Sequence, residues 1–420
     1  MASSGPGRPG HRARVFLLAV SIGAAILPFC GQKNAAAILD EAGRLSAAGR
    51  NADAAKILAP LAARLPKDYA VHYALARALH AAGREEEALS EAGISIGARP
   101  ASLDAHVLRG EILGALGRDQ EALDELRRVV AADPQRAGVH RIMGTVHAKA
   151  GRLEQAANQF EKELAVHPQD AETLTEIGIY YLQVGKLAEA SERLERAAAI
   201  APGSPRALKG LAKVRFKQQR SKEGLDLQRR ATTLAPEDVE LLLEHSRALV
   251  SYGQPEEARL GLKAALDRGV IDARIHVELG KMARVRMAND EAAGWFKEAI
   301  AVTPGLAEAH FNYAKLLQYM GRRDEALAEF REANRLAPSD PYAYYYIGSI
   351  LAERGNTEEA IGLYRRSLQL DPYNPMAHYS LARALQRSGK KAEAEAEFAL
   401  HAEILKRLLG TNQTGVATAD

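Results

Sequence analysis

Cysteine is almost absent from this chain. Cys30 stands alone among 420 residues, which excludes an intrachain disulfide and a thiolate-bound metal cluster and leaves the redox compartment open. Aromatic residues are scarce as well, at 5% against a hydrophobic share of 47%. Apolar burial must therefore rest on Ala and Leu, both strong helix formers, so nearly all of the chain is expected to be helical. Net charge is also small: 56 basic residues oppose 53 acidic ones, for +3. So close a balance gives no nucleic-acid footprint for the whole chain, and any electrostatic preference has to be local. No phosphate-binding loop, dinucleotide fingerprint or HExxH zinc motif occurs, and on that ground neither a cofactor nor a catalytic residue is expected.

What the chain does have is a period. A glycine recurs as Gly49, Gly83, Gly117, Gly151, Gly185, Gly253, Gly321, Gly355 and Gly389, every gap being 34 or 68 residues, with Gln219 and Met287 in the two missing places. Five residues after each marker stands an alanine, from Ala54 to Ala394, replaced once by Gly224. Seventeen after it stands a proline, from Pro66 to Pro372, with Val270 and Lys406 as exceptions. Each column has a physical task. Glycine adopts the left-handed conformation that ends a helix, alanine lets two helices approach closely, and proline closes the second helix before the next unit begins. Larger residues fill the remaining space: Leu79, Leu113, Leu249 and Leu317 before the turn, Phe160, Phe296, Phe330, Tyr364 and Phe398 after it. Eleven helix-turn-helix units thus run over residues 35–408, and stacking them extends one strip of core without thickening it.

The pattern of small residue, large residue, turn glycine, alanine, aromatic and proline over 34 positions resembles the tetratricopeptide repeat family. That resemblance implies an all-α fold, a right-handed superhelical α-solenoid whose first helices line a concave groove, and binding of peptides or partner proteins in that groove. It does not name the partner. The pattern is least regular in units six to eight, where Gln219 and Met287 replace the turn glycine, Gly224 the packing alanine and Val270 the proline. Glycine for alanine inside a helix costs about 1 kcal/mol, which makes unit six the expected soft point.

Two constellations invite a catalytic reading. Gly93-Ile94-Ser95-Ile96-Gly97 has the GxSxG form of a hydrolase nucleophile elbow, but that chemistry needs a strand-to-helix turn and these residues fall late in a second helix. His72, His106, His140, His276, His310 and His378 share the fourth position of the first helix. Neighbouring helices pack roughly 8–10 Å apart, too far for one ion at about 2 Å to gather this column, so a packing role is expected and no metal site.

Groove-facing positions are the second, fifth, ninth and twelfth of each first helix, because offsets of three and four keep to one face. They carry a basic stripe through units six to nine, made of Arg206, Lys209, Lys213, Arg247, Arg274, Lys281, Arg284 and Lys315, interrupted by Glu240 and Glu308. Either it solvates an exposed helix face or it receives acidic partner segments. Lys213 stands where the family's carboxylate clamp has asparagine, so that clamp is not reproduced. Units nine to eleven carry Phe311, Tyr342, Tyr345, Tyr346 and Tyr379, side chains suited to a contact surface or to packing.

The N-terminus points to export. Arg8, Arg12 and Arg14 precede an uncharged run from Val15 to Phe29. A helix of that length reaches roughly 22 Å, short of the roughly 30 Å hydrocarbon core, which favours a secretory signal over a permanent span. Residues 1–34 are therefore expected to be a signal peptide or an N-terminal signal anchor, and residues 409–420 a disordered tail. The composite expectation is a non-enzymatic scaffold of the periplasm or cell envelope, or secreted, holding protein or peptide partners and no nucleic acid. The alternative is an accessory or assembly subunit of an enzyme or envelope-polymer export complex.

Overall fold

The computed structural model describes residues 35–414, with side chains described as far as Leu408. The expected signal segment, Cys30 and residues 415–420 lie outside the described residues. Within them are twenty-two helices and no strand. The helices fall in two compact units, residues 1–218 and 219–420, dividing at the turn of repeat six.

The first unit contains α1 (35–47), α2 (Asn51–Arg64), α3 (Tyr69–Ala81), α4 (Glu85–Ala98), α5 (Leu103–Ala115), α6 (Asp119–Ala132), α7 (Val139–Lys149), α8 (Leu153–Val166), α9 (Ala171–Gln183), α10 (Leu187–Ile200) and α11 (Pro205–Lys217). The second contains α12 (Ser221–Leu234), α13 (Val239–Ser251), α14 (Pro255–Asp267), α15 (Ala273–Val285), α16 (Asn289–Val302), α17 (Ala307–Tyr319), α18 (Arg323–Leu336), α19 (Pro341–Glu353), α20 (Thr357–Leu370), α21 (Pro375–Arg387) and α22 (Lys391–Thr414). Odd-numbered helices are the first helices of their repeats. The fold is an all-α repeat solenoid in which consecutive helices pack as antiparallel pairs. Helix α22 continues beyond the expected repeat boundary at Leu408.

The sequence columns account for the packing. Ala88, Ala122, Ala190, Ala292, Ala326 and Ala360 have no exposed surface, and Phe296 and Phe330 are equally buried against them. A small residue on the first helix receives each large one. A Cβ added to Gly144 would stand 2.5 Å from the Phe160 ring, and one on Gly280 would stand 2.5 Å from Phe296.

A further column, outside the glycine, alanine and proline pattern, caps the start of most first helices. Asp68, Ser102, Asp170, Ser204, Asp238, Asp272, Asp340 and Asn374 each accept a hydrogen bond from a backbone N–H of the helix that follows, satisfying donors that have no partner inside the helix. Arg136 occupies that column ahead of repeat four, and there α7 begins only at Val139 with Gly138 at φ 83°. The buried Glu163 carboxylate of α8 takes over, accepting from the backbone N–H of Gly138 at 2.7 Å and of His140 at 3.1 Å.

The turn column behaves as expected in nine repeats. In the other two, Gln219 (φ 61°) and Met287 (φ 59°) are held in the left-handed region without glycine's freedom, which costs on the order of 1 kcal/mol each. Gln219→Gly and Met287→Gly are each expected to stabilise the protein by about that amount, read from urea unfolding midpoints.

Candidate functional site

The two catalytic-looking constellations are consumed by structure. Ser95 lies within α4, fully buried, and its hydroxyl donates to the Ala92 carbonyl at 2.8 Å, so no nucleophile elbow exists there. In the histidine column, His310 Nδ1 is 2.6 Å from the Glu329 carboxylate and its Nε2 is 3.0 Å from the Pro304 carbonyl. His378 repeats this with Glu397 at 2.5 Å and Pro372 at 3.0 Å, and His106 with Glu125 at 2.8 Å and Pro100 at 3.0 Å. His72 pairs with Glu91 at 2.5 Å and with the Leu65 carbonyl at 3.1 Å. A carbonyl only accepts, so the Nε2–H donates to it while Nδ1 lies against the carboxylate. Each imidazole therefore ties its own second helix to the end of the preceding repeat. Tyr344 holds the same position in repeat ten, and its hydroxyl donates to Pro338 at 3.3 Å.

The partner was legible. Nineteen residues after the histidines stand Glu91, Glu125, Gln159, Glu329 and Glu397, with Trp295 after His276, whereas repeats lacking the histidine have Arg193, Leu227, Gly261 or Leu363. Reading one column at a time hides that pairing.

The basic stripe is divided between the units. In the first, Arg206, Lys209 and Lys213 lie on α11, and Arg206 is 2.8 Å from Glu176 on α9. In the second, Arg274 meets Asp272 at 2.9 Å and Glu240 at 3.2 Å, Lys281 meets Glu308 at 2.5 Å and Glu278 at 3.2 Å, and Arg247 approaches Glu278 at 3.6 Å. Burial pulls the Lys281 ammonium down, but its bonds to Glu308 and Glu278 prevail and hold its pKa above the ordinary value. The face is thus a ladder of alternating charges and not a bare row of cations. Two members differ. Arg284 and Lys315 meet no carboxylate among the described residues, and the buried Arg284 Nε has no hydrogen-bond partner there. The Lys315 ammonium lies 5.7 Å from both the Phe311 and the Tyr346 ring centres, and burial, reinforced by the nearby Arg284 charge, pulls its pKa down.

The expected aromatic patch is partly core. Tyr346 stacks on the buried Phe330 ring at 5.0 Å, Phe311 meets both edge-on at 5.6 Å, and Tyr345 packs against Tyr346 at 5.1 Å. Tyr342 and Tyr379 face solvent, 50% and 39% exposed, and Tyr379 rests on Phe398 at 5.8 Å. Two carboxylates of the first unit are shielded from solvent. Glu111 lines a cavity of about 680 Å³ with Arg77 and His80. Burial pushes its carboxyl pKa up against the pull of His80, Arg141 and Arg77, and burial does the same to Glu176. A raised folded-state pKa penalises the ionised form, fully so once both folded and unfolded groups have lost their protons. Glu111→Gln should therefore stabilise the protein at neutral pH, and thermal melts should show the gain fading as the pH falls towards the ordinary carboxylate value of 4.5.

Among the described residues no three side chains are grouped to hold a metal ion, and no helix is long and apolar enough to cross a membrane. Family patterns described as tetratricopeptide repeats match residues 39–93, 92–137, 243–307 and 311–375 in one form, and 147–214 and 351–405 in a second. No curated protein sequence is significantly similar to the chain. A thermophilic tetratricopeptide repeat protein of Thermus thermophilus is 23% identical over 44% of this chain and 100% of its own, with a TM-score of 0.40. Yeast Tom70 is 16% identical over 89% of this chain and 92% of its own, with a TM-score of 0.46.

Proposed function

Because the chain belongs to the tetratricopeptide repeat family, we propose that it is a non-enzymatic scaffold holding segments of partner proteins against the first-helix face of its repeats. The observation that carries this reading is the aromatic surface of repeats nine to eleven. Tyr342 and Tyr379 stand half in solvent on helices fixed by a packed aromatic base. Large rigid rings with polar tips give contact area at little entropic cost, which is why such residues dominate binding energetics. The reading includes export: the basic start and the uncharged run over residues 15–29 suit a signal or an anchor, and the scaffold then works at the cell envelope.

Affinity capture from an envelope fraction, followed by mass spectrometry, tests the proposal. Partners recovered with the wild-type chain should bind more weakly to Tyr342→Ala and Tyr379→Ala while the circular dichroism spectrum is retained. Unchanged affinity in both variants would remove this surface from the account. If the charged ladder takes part, affinity should fall between low and physiological ionic strength.

A further inference from the structure

We infer that a pocket in repeat seven receives an indole-type ring from outside the chain, in the place that Trp295 fills from within in repeat eight. The pocket measures about 360 Å³ and lies between the second helices α12 and α14, with α13 as its third wall. It exists because repeat seven lacks the pair that closes this space in the histidine-bearing repeats. Leu242 stands in the histidine column and Gly261 in the partner column. A Cβ added at Gly261 would meet nothing within 4 Å, so the opening begins at the backbone of α14. Two bridges frame it, Arg229 to Glu257 at 2.9 Å and Arg268 to the Pro236 carbonyl at 3.3 Å, and all four residues line the pocket.

Repeat eight shows what fits. One period on, Arg229 becomes Lys263, Leu242 becomes His276, Glu257 becomes Glu291 and Gly261 becomes Trp295. Those counterparts are the neighbours of the indole. The Lys263 ammonium lies 5.8 Å from the Trp295 ring centre, the His276 ring lies 5.9 Å away, and the indole N–H donates to Glu291 Oε1 at 3.3 Å. Repeat seven keeps the cation and the acceptor and omits the ring. Its Glu257 side chain is 46% exposed, and although Oε1 is taken by Arg229, Oε2 has no hydrogen-bond partner among the described residues. A ring seated there donates its N–H to a charged oxygen, a strong hydrogen bond, and turns its face to the guanidinium. Leu242 and Leu262 supply apolar walls. Burial, aided by the Arg229 charge, lowers the pKa of the adjoining His245, which leaves that wall uncharged at neutral pH. An apolar cavity of about 150 Å³ holds benzene, so this pocket has room for two fused rings and a short stem.

Isothermal titration of the full chain with indole, 1-methylindole and N-acetyltryptophanamide tests the site. Indole should bind at a single site with a dissociation constant below about 1 mM, the strength open to so small a ligand. 1-Methylindole has no N–H and should bind about tenfold more weakly. Glu257→Ala should weaken indole to that same level and leave 1-methylindole nearly unchanged. Gly261→Trp installs the ring of repeat eight and should abolish binding while the melting temperature holds or rises, because a helix interior gains by losing glycine. Should that variant fail to fold, Gly261→Leu, which copies Leu227 and Leu363 of repeats six and ten, fills the same space and should abolish binding as well. The absence of saturable binding by both indole and N-acetyltryptophanamide overturns the site and leaves a packing void. So does binding that survives in the Gly261 variants. Equal binding of indole and 1-methylindole overturns the indole assignment, because any flat apolar ring then serves. N-acetyltryptophanamide binding at least as tightly as indole assigns the ring to a tryptophan on a peptide, whereas binding of indole alone assigns it to a free small molecule, and both results uphold the site. The scaffold reading stands or falls separately, on capture from the envelope fraction.

Discussion

Phe296→Ala is expected to cost about 3–5 kcal/mol, the range for deleting a fully buried ring from a core that cannot close around the gap. Phe296 has no exposed surface, and its ring fills the notch left by Gly280 on the facing helix. The notch is made by backbone, so the surrounding helices cannot shift into the cavity without giving up the hydrogen bonds of α15 or α16. The effect should also be local. Each repeat in a solenoid contacts only its neighbours, so hydrogen exchange should accelerate most in α15 and α16 and leave the first unit at its wild-type rates. Trp295, the only tryptophan in the chain, is the adjacent residue and reports unfolding there by fluorescence. A loss below about 1 kcal/mol would mean that the notch is not the closely packed site described here.

His310→Ala is expected to destabilise the second unit by about 1–3 kcal/mol, because it removes both hydrogen bonds of a buried ring and leaves the Pro304 carbonyl and the Glu329 carboxylate without that partner. Packing loss alone could give a similar number, so a double-mutant cycle is the discriminating measurement. With Glu329→Gln as the second change, the paired loss should be smaller than the sum of the single losses by more than about 0.5 kcal/mol. The His72 and Glu91 pair, 2.5 Å apart in the first unit, should behave alike. Strict additivity at both places would show that the pairing contributes nothing and that the ring serves only as bulk.

The architecture was legible because its constraints are periodic. Glycine, alanine and proline recur in phase, each doing a backbone task that few other residues can do, so the turn at Gly321 or the close approach at Ala326 follows from the chain alone. What escaped was pairwise. The capping column is mixed in composition, Asp68 here and Ser102 or Asn374 there, and only hydrogen-bonding chemistry unites it. Glu163, which caps α7 from another helix, has no sequence signature at all. The candidate site shows the same division. Its basic residues could be placed on one face by helical spacing, but whether Lys281 is neutralised and Lys315 is not depends on which carboxylates reach across from neighbouring helices, and Glu308 reaches one and not the other. Tyr346 could not be told from a surface ring until its stacking on Phe330 was seen.

The central claim is that partner proteins are held on the first-helix face, and site-specific photo-crosslinking in living cells tests it most directly. A benzophenone amino acid placed at Tyr342 on α19 should yield covalent adducts with other proteins, whereas the same probe at the exposed Arg331 on the second helix α18 should yield none. Adducts from Arg331 alone, or equal adducts from both positions, would contradict the account.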